Sequence, residues 1–189
     1  MGEIRVSNTK LQCEAIENYK RLLELGFTPP FRLELGPGRG GSIPDTVCIG
    51  LNPSADPGCQ VYFDLNGGIP LPDESVLYCH SNQVLEHITR EKFIEFMNDL
   101  FRVMIPGGKT MHCVPHWQSP YAWGDPTHYN VFTEATFQYF CQDAHGNPFI
   151  ESFSDYGVRC NFILEKQDVR PAVDITVWLV KPGGPSEKS

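Results

Sequence analysis

The sequence predicts a single α/β domain built on a mostly parallel sheet. Three observations carry this reading. Short apolar runs closed by Gly, Pro, Asn or Asp recur at FRLELG, TVCIGL, QVYFDL, SVLYCH and KTMHCVP, and continuous apolar runs of that length are what strands buried on both faces need. A helical stripe of Phe93, Phe96, Met97, Leu100 and Phe101 sits between the fourth and fifth runs and stops before Pro106, as a crossover helix would. Two late apolar segments, NFILEK and DITVWLV, then close the order as an antiparallel pair.

The elements follow in turn. Asn8 to Gly26 reads as an amphipathic helix with Leu11, Ala15, Tyr19, Leu22 and Leu23 near helical spacing, and residues 1–30 form a lead-in. The five strands are expected at 31–36, 46–51, 60–65, 75–80 and 109–115. VFTEATFQYF, Val131 to Phe140, is expected to be a helix capped by Thr133. The tail from Pro182 to Ser189 is expected to fray. Only Gly36 to Thr46 separate the first two strands and Asn52 to Cys59 the next two, whereas a parallel crossover ordinarily takes a dozen or more residues. The first two crossover helices are therefore reduced to turns, one face of the sheet is thinly covered, and a second subunit or a rearranged N-terminal helix is expected over it.

Composition bounds the function. A chain of 189 residues, 41% hydrophobic and 20% charged, makes one domain able to bury roughly two-thirds of its unfolded surface. The net charge of −8, with no basic cluster beyond Lys20-Arg21, argues against duplex nucleic acid. No apolar stretch approaches a membrane span. Seven cysteines without a C-x-x-C pair read as reduced thiols in a cytoplasmic protein rather than a disulfide or zinc framework.

LELGPGRGG places Gly36 and Gly38 just after the first strand, where bare backbone lets a ligand approach closely. It is followed in order by FDLNGGIPLPDES, SNQVLEHI and LFRVMIPGGK. These four blocks resemble the class I S-adenosylmethionine-dependent methyltransferases, over about Phe31 to Val114. The resemblance implies a Rossmann-like sheet of about seven strands, S-adenosylmethionine as cofactor, and methyl transfer to a small or carrier-bound acceptor. Position by position it implies Gly36 and Gly38 at the amino-acid part and ribose, Asp64 and Leu65 at the adenine, and Ser81 and Asn82 near the methionine moiety. At the end of the second strand, where the family places an acidic residue for the ribose hydroxyls, this chain has Asn52. An amide accepts one hydroxyl and donates to another.

QVLEHI also resembles the E-x-x-E-H metal motif of some methyltransferases, with Gln83 in place of the first carboxylate. No metal is expected, because an amide brings no charge; Glu86 and His87 are the candidates should one bind, with His128 as the third member of a metal-assisted alternative. Pro115 to Thr133 follows the fifth strand and is dense in aromatic and polar groups, which puts it over the site. His128, His116 and Asp125 are the candidate general-base residues; Trp117, Tyr121 and Trp123 are expected to shape the acceptor pocket. Methyl transfer needs placement more than a nucleophile. The competing reading is a non-catalytic binding or assembly module that has lost full cofactor recognition at Asn52.

Overall fold

The computed structural model describes residues 9–40, 43–143, 145–149 and 155–183. Helix α1 (Thr9–Glu24) precedes β1 (Phe31–Leu35), β2 (Val47–Gly50), β3 (Val61–Tyr62) and β4 (Val76–Asn82). Then come α2 (Arg90–Val103), β5 (Met104–Pro115), the short α3 (Pro120–Gly124), β6 (Ile163–Arg170) and β7 (Asp174–Val180). One seven-stranded sheet has the order β3-β2-β1-β4-β5-β7-β6. All pairs are parallel except those of β7, which runs antiparallel to both β5 and β6.

The apolar runs become strands because alternate residues enter one core. Leu33, Leu35, Val47, Ile49, Cys79, Val114, Ile175, Val177 and Leu179 are fully buried together with Phe96, Met97 and Leu100 of α2. Among the described residues the two early crossovers hold no α-helix: the 3-10 turn Gly38–Gly40 lies between β1 and β2, and a loop joins β2 to β3. The opposite face, carrying Arg32, Tyr78, Met111 and Trp178, is left unburied. Helix α1 packs beside α2 instead: Leu11 and Asp99 both reach Gly68, and Asn18 Nδ2 donates to Pro70 O at 3.2 Å. The irregular run before β4 is clamped to α2 by Arg102, which donates to Ile69 O, Leu71 O and Asp73 Oδ1 and pairs with Asp99. Four backbone and carboxylate acceptors thus converge on one planar cation, which suits its fork of donors.

Three local expectations are corrected. The third strand is two residues long, because the Asp64 carboxylate takes the Asn66 N–H and starts a 3-10 turn, Leu65–Gly67, in place of further pairing. Val131 to Phe140 is no α-helix; Thr136–Phe140 forms a 3-10 turn entered from Ala135, and Thr133 does not cap it. Phe132 is instead bridged to His116 and stacks on Phe137, and β-branched residues give the helix little intrinsic support. Cys48 and Cys59 are joined in a disulfide rather than being free thiols, since β2 and the chain entering β3 run side by side with these Cα atoms 4.8 Å apart, the lateral spacing of paired strands. Cys79, Cys141 and Cys160 remain free and buried, and Cys13 is free and exposed. Asn8 and residues 184–189, for which a helix start and a frayed tail are expected, lie outside the described residues.

A polar string runs through the sheet interior: Ser81 Oγ meets His112 Nδ1 at 2.6 Å, and Thr110 Oγ1 meets His112 Nε2. All three residues are buried. Burial, with His80 nearby, pushes the His112 imidazole down to about 3, so it is neutral in the folded protein at physiological pH. The unfolded chain takes up that proton near the ordinary histidine value. Stability therefore falls as pH drops from about 6.5 towards 3, by up to about 1.4 kcal/mol per pH unit from this residue. Urea unfolding across that range checks this: His112→Asn is expected to flatten the slope relative to the parent chain, and an unchanged slope would show that His112 is not its source.

Candidate functional site

The site forms at the carboxyl ends of β1, β2 and β4, where an open α/β sheet leaves a crevice. A cavity of about 490 Å³ is lined by Gly36 and Gly38, by the apolar side chains Ile49, Leu51, Phe63, Leu65, Val84 and Ile88, and by Asp56, Asp64, Gln83, His87, Thr127 and Tyr129. That volume lies in the range of small-molecule sites, roughly 300–1,000 Å³.

The glycine turn is shaped by two different constraints. Gly36, at φ +56°, is pressed against β4's exit loop, so that a Cβ there would lie 2.8 Å from Val84 Cγ2. Gly38, at φ +62°, faces open space: a Cβ would meet nothing within 4 Å. The first glycine is thus required by packing and the second keeps the cavity floor bare. The turn is held in place by Asp56, whose Oδ1 accepts from Gly38 N and whose Oδ2 accepts from Leu51 N, each at 2.8 Å. The same side chain lies against Gly50, where any Cβ would collide with it at 2.4 Å.

Asn52 is not a wall of the cavity. It is exposed, and its Oδ1 accepts from Ser54 N and Ala55 N, closing its own turn. The acidic group near the β2 end comes from Asp56, four residues later. A carboxylate has about four lone-pair sites, so after the two backbone bonds each oxygen of Asp56 keeps one with which to accept a hydroxyl. The sequence signal for Asp56 was a lone acid in a Pro/Gly-rich turn, which any loop can show.

Asp64 and Leu65 do line the cavity. Asp64 Oδ1 takes both Asn66 N and Asn66 Nδ2, and Asn66 Oδ1 accepts from Thr89 N ahead of α2. Ser81 is turned into the interior towards His112 and does not reach the cavity. Asn82 opens onto a second groove on the other side of Gly36, beside Glu34 and His80. The next residues, Gln83 and Val84, take the places at the main cavity expected of Ser81 and Asn82.

The segment after β5 is brought over the site by main-chain bonds. Tyr129 N and Asn130 N both donate to Glu86 O, Asn130 Nδ2 to Ile88 O, and Arg90 Nε to Tyr129 O. Thr127 and Tyr129 therefore line the cavity, whereas Trp117, Tyr121 and Trp123 are exposed and stand outside the lining. His116 is buried away from the lining with both nitrogens engaged: Nδ1 accepts from Gln118 N and Ala172 N, and Nε2 pairs with Glu134. Asp125 Oδ1 accepts from Thr127 N and Oγ1, which holds its carboxyl below the usual range. His128 lies 3.7 Å from Asp125 and is nearly buried, and its ring packs edge-on against His87 with centroids 4.7 Å apart.

No protein-family model matches the chain, and no curated protein matches it in sequence. Solved structures do. The structure of a Bacillus halodurans protein named as a methyltransferase superposes at TM-score 0.55 with 12% identity, over 89% of this chain and 100% of that one. The chain has the fold of the S-adenosylmethionine-dependent methyltransferases. One such enzyme from Aquifex aeolicus matches at TM-score 0.52 and 16% identity, over 93% of this chain and 99% of that one. A Haloferax volcanii methyltransferase complexed with the Trm112 activator matches at 0.55 and 12%, over 94% and 96%. The cavity lies outside the carboxyl ends of the strands, where an open α/β sheet leaves its crevice.

Asp56→Asn tests the brace across that crevice. The amide retains one acceptor but turns an N–H₂ towards a backbone N–H, leaving that donor unpaired. A loss of about 1–3 kcal/mol is expected, read by denaturant unfolding; an unchanged midpoint would remove Asp56 as the support of the turn.

Proposed function

We propose that the chain binds S-adenosylmethionine in this cavity and transfers its methyl group to a small or carrier-bound acceptor, at oxygen or nitrogen. The single observation behind this reading is the open space over Gly38 beneath an apolar slot. The residues present fit the cofactor: Ile49, Leu51, Phe63, Leu65 and Ile88 offer apolar surface for an adenine, Asp64 stands beside it as an acceptor, and Asp56 offers lone pairs for ribose hydroxyls. When bound, the cofactor supplies a methyl group already activated on a sulfonium.

The chain's own contribution is placement. The 127–129 segment closes the cavity above Gln83 and Val84 and restricts water. The acceptor is held on the side of the cavity bounded by His87, Thr127 and Tyr129, and His128, between the last two in sequence, is the histidine of the three candidate base residues that lies next to the lining. The protein acts in the cytoplasm, and a second subunit lies on the open sheet face around Trp178. Among the described residues no helix is long and apolar enough to cross a membrane.

One observation favours the second reading, a non-catalytic module. Both Asp56 oxygens already serve backbone donors, and Asn52 is turned away, so ribose recognition has no dedicated carboxylate. Calorimetric titration with S-adenosylhomocysteine decides between the two: saturable heat is expected from the parent chain and none from Gly38→Val, whose side chain would fill the space over the turn. A β-branched residue at positive φ costs about 1–3 kcal/mol, so a melt confirms that the variant is folded. Absence of binding in the parent chain would leave only the module.

A further inference from the structure

In the run from Leu51 to Cys59 only Asp56 and Cys59 are buried, and they are buried against the same place. A Cβ on Gly50 would lie 2.4 Å from Asp56 Cβ and 3.0 Å from Cys59 Sγ, so the carboxylate that braces the glycine turn and the sulfur bonded to Cys48 rest on one bare spot of β2. Among the described residues the far end of this loop has few other ties. β3, at the edge of the sheet, pairs with β2 only at Ile49–Val61 and Gly50–Tyr62, and Cys48 N donates to Gln60 Oε1 at 2.8 Å. The ring closed from Cys48 to Cys59 carries one wall of the cavity, since Ile49, Leu51, Ala55 and Asp56 all line it. The other five cysteines are free. In a cytoplasmic protein, the setting proposed above, thiols are kept reduced, and the disulfides that do form are usually transient and redox-sensing or catalytic.

We propose that the Cys48–Cys59 bond is a redox switch on the cavity. Closed, it holds Asp56 against Gly38 N and Leu51 N and keeps the cavity floor formed; opened by a dithiol reductant, it frees the loop and weakens cofactor binding. The effect on the cofactor rests on the proposed binding of S-adenosylmethionine, whereas the effect on the loop does not. The step is a thiol–disulfide exchange. A thiolate of the reductant attacks the sulfur of Cys59, the less buried of the two residues, forming a mixed disulfide while the Cys48–Cys59 bond breaks and Cys48 leaves as a thiolate that takes up a proton. The reductant's second thiolate then attacks its own partner sulfur and releases Cys59, which is protonated in turn. The protein has gained two electrons and two protons, and the reductant is left as a disulfide. Access needs only local opening at the sheet edge, where β3 is held by two residue pairs. Once the ring is open the loop regains conformational freedom that the cross-link had removed, and the Asp56 carboxylate is no longer fixed opposite its two donors.

The full chain is compared after equilibration with oxidised glutathione and after treatment with dithiothreitol in native buffer without oxygen. Thiol counting on the denatured samples is expected to give five thiols in the first and seven in the second. On reduction, amide hydrogen exchange at Gly38 and Leu51, the two donors to Asp56, is expected to speed up at least about tenfold, and S-adenosylhomocysteine affinity by calorimetry to fall by about the same factor. Both return on reoxidation. The double variant Cys48→Ser, Cys59→Ser, checked by circular dichroism, is expected to match the reduced chain in both buffers, and Cys13→Ser to follow the parent. Should the double variant fail to fold, the two redox states of the parent chain carry the comparison. Seven thiols in the oxidised sample, a bond that dithiothreitol opens only after denaturation, or equal exchange at Gly38 in both states overturns the switch. Faster exchange with unchanged S-adenosylhomocysteine affinity overturns its hold on the cavity. A redox response in exchange with no S-adenosylhomocysteine binding in either state supports the loop switch and removes the methyltransferase reading alone, whereas binding without any redox response removes the switch alone.

Discussion

With no α-helix among the described residues between its first three strands, the protein must satisfy the strand tips by other means, and the Asp56 carboxylate does so. In a full βαβ unit a helix N-terminus would follow the glycine turn and order it. Here two charge-assisted bonds, to Gly38 N and Leu51 N, tie the tip of β1 to that of β2 and fix the floor of the cavity. Hydrogen bonds to an ionised acceptor are roughly twice as strong as neutral ones, which makes one side chain a workable substitute for a missing element. The tight packing at Gly50 and the Cys48–Cys59 link belong to the same arrangement: the 51–59 loop is held at both ends and in the middle.

The other wall of the cavity depends on a second set of main-chain bonds. Glu86 O receives two N–H groups from 129–130, and Asn130 reaches back to Ile88 O. This pinning draws a loop distant in sequence down onto the 3-10 turn after β4, so His128 comes beside Glu86 and His87. The cost is a buried acid with unpartnered oxygens, a local breach of the rule that interiors satisfy their polar atoms. Such breaches concentrate where a protein binds something.

Much of the fold was legible in the chain. Buried strands announce themselves as unbroken apolar runs, and α2 as a stripe with helical spacing, because both patterns follow from burial on one core. The short gaps before Thr46 and Cys59 foretold the lost helices, since chain length alone forbids them. Legibility failed where side chains compete with backbone pairing. Asp64 ended β3 early by capping a turn, and Phe132 joined His116 in place of starting a helix. Those outcomes turn on contacts between segments rather than on any local pattern.

The site divides in the same way. By itself the sequence determined that a bare turn follows the first strand, with Asp64 and Leu65 after the third, because glycine spacing and strand order are local and one-dimensional. Only the tertiary structure decided which acid meets the turn, that Ser81 faces inward and Gln83 outward, and that His116 is a buried brace while His128 joins Glu86. The reason is directional: a strand's alternation sends Ser81 and its neighbour Asn82 to opposite faces, the chain leaves β4 at Gln83 with φ +56°, and a loop's hydrogen bonds set which distant residue arrives, none of which a list of residues can specify.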